Sequence, residues 1–167
     1  MLPTVKRPSM DVEVVTDYET LDKSRAMAKQ IEQVEQSDTA SMTEAEVSAH
    51  RKTADDMRAA LETLVRKVNE TTLVLTLEGM NASKWEQLVL MNTQVKDDRP
   101  VQDTSEIVAT ATSAMCRKIT LKDSGEPVEL DRVKLHDLLS QLPDSAVIAL
   151  LSQVQALNMP MFKLPKA

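Results

Sequence analysis

Apolar residues recur at helical spacing along most of this chain and alternate cleanly with polar ones at a single stretch. From Thr20 onward, Leu21, Ala28, Ile31 and Val34 lie roughly along one side of a helix that runs to about Gln36. The polar run Ser37-Asp38-Thr39-Ala40-Ser41 ends it. Thr43-Glu44-Ala45-Glu46 then reads as a capping box, in which the Thr43 hydroxyl and the Glu46 carboxylate each accept from an amide of the first turn. Behind the box, Val47, His50, Ala54, Met57, Leu61, Leu64 and Val68 alternate three and four residues apart. That spacing is the seam of a coiled coil and predicts an amphipathic helix over 43–69. Helix 20–36, folded back through the polar turn, is the nearest element that could cover the seam as an antiparallel hairpin. It is the shorter and weaker of the two, which predicts a stretch of seam left for a partner.

Residues 71–77 (TTLVLTL) set Leu73, Leu75 and Leu77 against Thr72, Val74 and Thr76, the period of a strand. Gly79 and Asn81 mark its end, and Asn81 can cap a helix at about 82–92 with Trp85, Leu88 and Val89 inward. Residues 93–102 (TQVKDDRPVQ) read as a polar loop closed by Pro100. Asp103 with Glu106 suggests a second capping box, for a helix whose apolar side is Ile107, Val108, Ala111, Ala114 and Met115. Residues 119–130 (ITLKDSGEPVEL) predict two short strands around the turn Asp123-Ser124-Gly125. Helix 131–141 offers Val133, Leu135, Leu138, Leu139 and Leu142. Past Pro143-Asp144, residues 145–157 form the most hydrophobic helix. The pattern therefore predicts a mainly α chain in four parts. These are an extended N-terminal arm (1–18, with Pro3 and Pro8) that docks only on a partner, a coiled-coil-like helical hairpin (19–70), a small mainly helical domain with minor β strands (71–158), and a flexible C-terminal tail (159–167).

Composition sharpens this picture in one respect. The 167 residues include ten Met but one Trp, one Tyr and one Phe, so the core must be filled by Leu, Val, Ala and Met. Two glycines argue against a fold of many tight hairpins. A net charge of −6 does not neutralise phosphates, so nucleic acid and anionic membrane are poor partners, and the pair Lys6-Arg7 is no binding patch. No run approaches the roughly 20 apolar residues of a bilayer span. A lone cysteine and the lack of an apolar leader point to a reducing, cytosolic setting rather than secretion.

Candidate chemistry is sparse. Cys116, His50 and His136 are the only thiol and imidazoles. Cys116 ends an Ala-rich helix as a small core residue, His50 sits in the seam as a polar contact, and His136 falls at a boundary position. No Cys-x-x-Cys, His-Glu-x-x-His or calcium-loop spacing is present, and Asp55-Asp56 and Asp97-Asp98 are adjacent rather than ligand-spaced. The expectation is a protein with no catalytic residue, no metal and no cofactor. Met80, Met91, Met115, Met159 and Met161 are candidates for an adaptable apolar surface, with Met115 better read as core filling.

The order of elements carries a resemblance. A helical hairpin leads to the strand 71–77, then to the Trp-bearing helix SKWEQLVL (83–90) and a polar loop. The Ala-rich helix SEIVATATSAMC (105–116) follows, and a Leu-rich pair ending in Asn, KLHDLLSQLPDSAVIALLSQVQALN (134–158), closes the order. This resembles the tail assembly chaperones of long-tailed phages of actinobacteria over about 70–158, and over 20–69 as a helical extension. The chain departs from them at Met91–Val95, where members usually carry a His-Pro-Pro segment. The resemblance implies a cytoplasmic protein of the infected host that binds the tape measure protein, a long helical client, and keeps it soluble during tail assembly. It also implies a homo-oligomer and a frameshifted longer form of the chain, with which the tripeptide Leu164-Pro165-Lys166 is compatible. The candidate partner-binding residues are Val47, Met57, Leu61, Leu64, Val68, Met159, Met161 and Phe162. Two alternatives stay open: a structural tail or connector subunit retained in the virion, and a helical adaptor unrelated to phage.

Overall fold

The computed structural model describes residues 2–159. Met161 and Phe162, two of the candidate partner-binding residues, lie outside that range. In chain order the elements are β1 (Ser9–Val14), α1 (Tyr18–Gln36), α2 (Glu44–Thr71), β2 (Leu73–Glu78) and α3 (Ala82–Met91). They continue with β3 (Thr93–Lys96), β4 (Arg99–Gln102), α4 (Thr104–Met115), β5 (Cys116–Leu121), α5 (Arg132–Leu139) and α6 (Asp144–Asn158). The fold is mainly α with minor strands, as the periodicity predicts. Two compact units emerge: residues 15–73 with the turn at 121–125, and the rest of the described chain, residues 2–14, 74–120 and 126–159.

The first unit is the helical hairpin. Asp17 caps α1 by accepting from the Thr20 amide at 3.0 Å; a bond from the Thr20 hydroxyl at 2.6 Å, and after it the amide bond, hold its carboxyl below the usual range. Thr43 caps α2 in the full reciprocal box, with Glu46 accepting from the Thr43 amide at 2.7 Å. That bond, and a second from the Thr43 hydroxyl at 2.8 Å, lower the Glu46 carboxyl. On α1 the inward residues are Leu21, Ser24, Met27, Ile31 and Val34, with Ser24 and Ile31 buried. Ala28, expected on that face, is exposed. Met27 takes its place because the face drifts by one position, and the larger side chain fills more of the seam.

The second unit is built around α4. Its Ile107, Val108, Ala109, Ala111, Thr112 and Met115 are all at most 2% exposed, and it packs against α3, α5 and α6. A helix apolar on nearly every side can only sit in the middle. The three-stranded sheet has the order β1-β2-β5. In β2 the alternation seen in the sequence becomes two faces, with Leu75 and Leu77 buried completely and Val74, Thr76 and Glu78 half-buried.

Residues 1–18 were expected to be an arm waiting for a partner. Instead, residues 9–14 are β1, with Val12 and Val14 almost wholly buried, because a Met10, Val12, Val14 alternation needs only a neighbouring strand to become core. Two bonds fasten the strand: Thr76 Oγ1 donates to the Asp11 carboxylate at 2.7 Å, and just before its start the Gly79 amide donates to Pro8 O at 2.9 Å. Gly79 has a steric reason to be glycine, since a Cβ there would lie 3.0 Å from the carbonyl oxygen of Leu157.

Two further expectations are revised. Residues 93–102 are a two-stranded antiparallel hairpin rather than a loop, with Lys96 paired to Arg99 across Asp97-Asp98. Both aspartates have positive φ, 50° and 57°, as a two-residue turn matched to strand twist demands, and Asp tolerates that region better than most residues. Between 119 and 130 there is one full strand, β5, which begins at Cys116; the return is a single bridge of Thr120 to Pro127, since Pro127 has no N–H with which to extend a ladder. Val133, expected inward on α5, is 70% exposed, while Leu135 and Leu139 carry the burial.

One buried atom stands out. Thr112 Oγ1 is fully enclosed in α4 with no hydrogen-bond partner among the described residues. A buried, unsatisfied hydroxyl is destabilising. Thr112→Val keeps the shape and removes the orphan, and should raise the unfolding free energy by about 1 kcal/mol. A urea midpoint unchanged or lowered in the variant would refute this.

Candidate partner-binding surface

The seam of α2 is largely taken by α1. The two helices pack along their length in antiparallel order, since Thr16 Oγ1 donates to Thr71 O at one end and His50 Nε2 lies 2.8 Å from Val34 O at the other. A carbonyl only accepts, so Nε2 carries the proton there; the same nitrogen is 3.1 Å from Ser37 Oγ. His50 thus closes the last turn of α1 and fixes the hairpin's alignment. Arg58 adds an ion pair to Glu35 beside its 2.7 Å bond to Asp55. Of the seam residues, Ala54 and Val68 are buried, and Val47, Met57, Leu61 and Leu64 are half-buried. Val47, beyond the end of α1, occupies the position that pairs with Met42 in a hydrophobic staple, and Met42 is half-buried too. So the surplus of seam predicted from the sequence is mostly closed within the hairpin unit itself.

Most of the exposed large apolar side chains lie elsewhere, in the second unit; on α2 only Val65, 42% exposed, is among them. At the end of α3, Leu90 and Met91 are 71% and 77% exposed, and on the hairpin that follows Val95 and Val101 are 76% and 44% exposed. These four side chains fall within twelve residues of sequence. Their placement has a local cause. Trp85 commits one side of α3 to the core, which turns Leu90 outward. Asn92 then caps the helix, its O accepting the Asp103 amide at 2.9 Å, so the chain leaves at once into β3. In the pairing, Val95 stands opposite Pro100, and Gln94 opposite Val101, so each face of the hairpin carries an apolar residue. Met159 at the end of α6 is also exposed (66%), whereas Met115 is core, as expected.

The polar side chains near α4 serve mainly to join elements. Asp103 caps α4 through the Glu106 amide at 3.1 Å. The expected reciprocal bond from Glu106 does not form: the Asp103 amide is already given to Asn92, and the Glu106 carboxylate instead accepts from His136 Nε2 at 2.9 Å and Thr110 Oγ1 at 3.0 Å. That triangle ties α4 to α5. Burial pushes the Cys116 thiol up, so it stays protonated near neutral pH. Asn158 is a buried polar bolt, its Oδ1 accepting from the Met80 amide at 2.8 Å and its Nδ2 lying 3.3 Å from Met115 Sδ. Among the described residues no group of His, Cys, Asp and Glu is arranged to hold a metal ion, and no helix is long and apolar enough to cross a membrane.

No family model matches the chain, and no curated protein or solved structure matches it significantly. Of the apolar surface, Met91 was legible in the sequence as a candidate for an adaptable apolar surface. Leu90, Val95 and Val101 were not. The signal that could have found them is the split alternation Thr93-Gln94-Val95-Lys96 and Arg99-Pro100-Val101-Gln102 around two turn-competent aspartates.

Proposed function

We propose that this chain is a tail assembly chaperone that binds an apolar helical client, the tape measure protein, and keeps it dispersed until tail tube subunits enclose it. The observation that carries the reading is the exposed apolar run Leu90, Met91, Val95 and Val101 on a folded, net acidic protein. Exposed apolar side chains gathered in one short stretch favour an interaction surface, here one that presents both faces of the β3–β4 hairpin, and a charge of −6 disfavours aggregation of the complex. A long unbranched thioether such as that of Met91 repacks around varied side chains, which suits a client of great length and irregular sequence. The order of elements from β2 to Asn158, with the Trp helix, the Ala-rich helix and the Leu-rich pair in sequence, supports the same reading. The binding surface moves from the α2 seam to α3 and the β3–β4 hairpin, with Met159 as a further contact.

Co-expression supplies the test. The chain should raise the soluble fraction of a co-expressed tape measure protein several-fold. The variant Leu90→Ser, Met91→Ser, Val95→Thr, Val101→Thr should fold and lose that effect. A client equally insoluble with and without the chain overturns the function; a variant as effective as the parent moves the surface elsewhere.

A further inference from the structure

The second unit holds a feature of opposite character to its acidic surroundings. A cavity of about 260 Å³ is bordered by Arg7, Lys84, Arg117 and Arg132, four cations supplied by the segment before β1, by α3, by β5 and by α5. One carboxylate, Glu78, lies on the same rim and pairs with Arg117 at 3.3 Å. Four cations against one carboxylate leave the rim at a formal +3 on a chain whose net charge is −6. Arg7, Lys84 and Arg132 have no ion-pair partner among the described residues. The lining beneath is apolar: Met80, Leu88, Ala114 and Met115. Arg117 and Arg132 also border a wider groove of about 630 Å³, where Glu129, Asp131, Lys118 and Lys134 lie.

We propose that this cavity binds the carboxyl terminus of a peptide that ends in an apolar residue, the carboxylate held among the cations and the last side chain seated on Met80, Leu88 and Ala114. The proposal is independent of the client reading. A carboxylate alone would not need the apolar lining, and an apolar side chain alone would not need four cations. Nucleotides fit poorly, because the site offers no aromatic face on which a base could stack, and a volume near 260 Å³ lies below the usual range for drug-sized ligands, about 300–1,000 Å³. Extended nucleic acid would meet the overall negative field. Guanidinium groups suit the recognition because their planar forks donate to both carboxylate oxygens at once.

The probe is a fluorescein-labelled hexapeptide, Gly-Ser-Gly-Ser-Gly-Leu, with a free carboxyl terminus, titrated with the full chain at low salt and followed by anisotropy. The same peptide amidated at its C-terminus should bind at least tenfold more weakly, and so should a version ending in Ser. Arg132→Glu and Lys84→Glu, both at exposed positions, should each weaken the free-acid peptide several-fold while leaving the Trp85 fluorescence of the folded unit unchanged. Raising the salt should weaken binding, as expected for exposed cations. Equal binding of acid and amide overturns the proposal, as does the absence of saturable binding by the free-acid peptide. Displacement of the peptide by an equal concentration of inorganic phosphate would also overturn it, since the site would then read charge alone.

Discussion

Glutamate placed at both Leu61 and Leu64 is expected to unfold the helical hairpin. The two leucines lie in the seam that α1 covers, half-buried on the inward side of α2. Full burial of a leucine is worth about 1.5–3 kcal/mol, so losing their partial burial costs less than that at each site, and a carboxylate forced into the seam adds a desolvation penalty. A helix pair of 19 and 28 residues owes most of its stability to such packing rather than to intrinsic propensity. The far-ultraviolet dichroism should therefore lose a large share of its helical signal, while the Trp85 fluorescence, which reports the other unit, keeps its native wavelength at moderate temperature. Val65→Glu is the control: Val65 is 42% exposed on the same helix and should change helicity little. If the double variant keeps full helicity and loses client solubilisation, the seam is the working face and the α3–hairpin surface is not.

The helical hairpin was legible because its signals are local and agree with one another. A capping box, a seam at strict three-four spacing and a polar break each depend on residues a few positions apart, and Thr43, Glu46 and His50 all do what that spacing predicts. The Leu-rich closing helices were legible for the same reason. What escaped was set by distance along the chain. β1 looked like an arm because its alternation is short and its partner, β2, begins some sixty residues later. The β3–β4 hairpin escaped through its turn: Asp-Asp is a weaker signal for positive φ than Asn-Gly, and Pro100 argues against a strand. The pairing shows how the proline is tolerated. Counting from the tight turn, Val95 and Pro100 form a non-hydrogen-bonded pair, so the missing N–H of Pro100 faces outward, where it also discourages addition of a further strand. The cationic cavity could not be read at all, since Arg7, Lys84, Arg117 and Arg132 come from four separate elements.

Leu75→Ala should cost about 2–5 kcal/mol, the range for emptying a well-packed leucine site. Leu75 is 0% exposed and sits on β2, the central strand of the order β1-β2-β5, where a strand on either side limits how far the backbone can close over a void. Both neighbouring faces are committed: Leu77 is buried alongside it, and on the opposite face Thr76 and Glu78 hold Asp11 and Arg117. Against a total stability of about 5–15 kcal/mol for a typical domain, that loss is large. With a urea slope of about 1–3 kcal/mol per molar, the midpoint should fall by roughly 1–2 M or more. Trp85 is the only tryptophan of the chain and is 5% exposed in the same unit, so its fluorescence follows this transition directly. Val133→Ala supplies the contrast. It removes a β-branched side chain that is 70% exposed, and should move the midpoint by an amount equivalent to no more than about 0.5 kcal/mol. Equal shifts for the two variants would mean that β2 is not the centre of the core, and that the alternation of residues 71–77 had been assigned to the wrong faces.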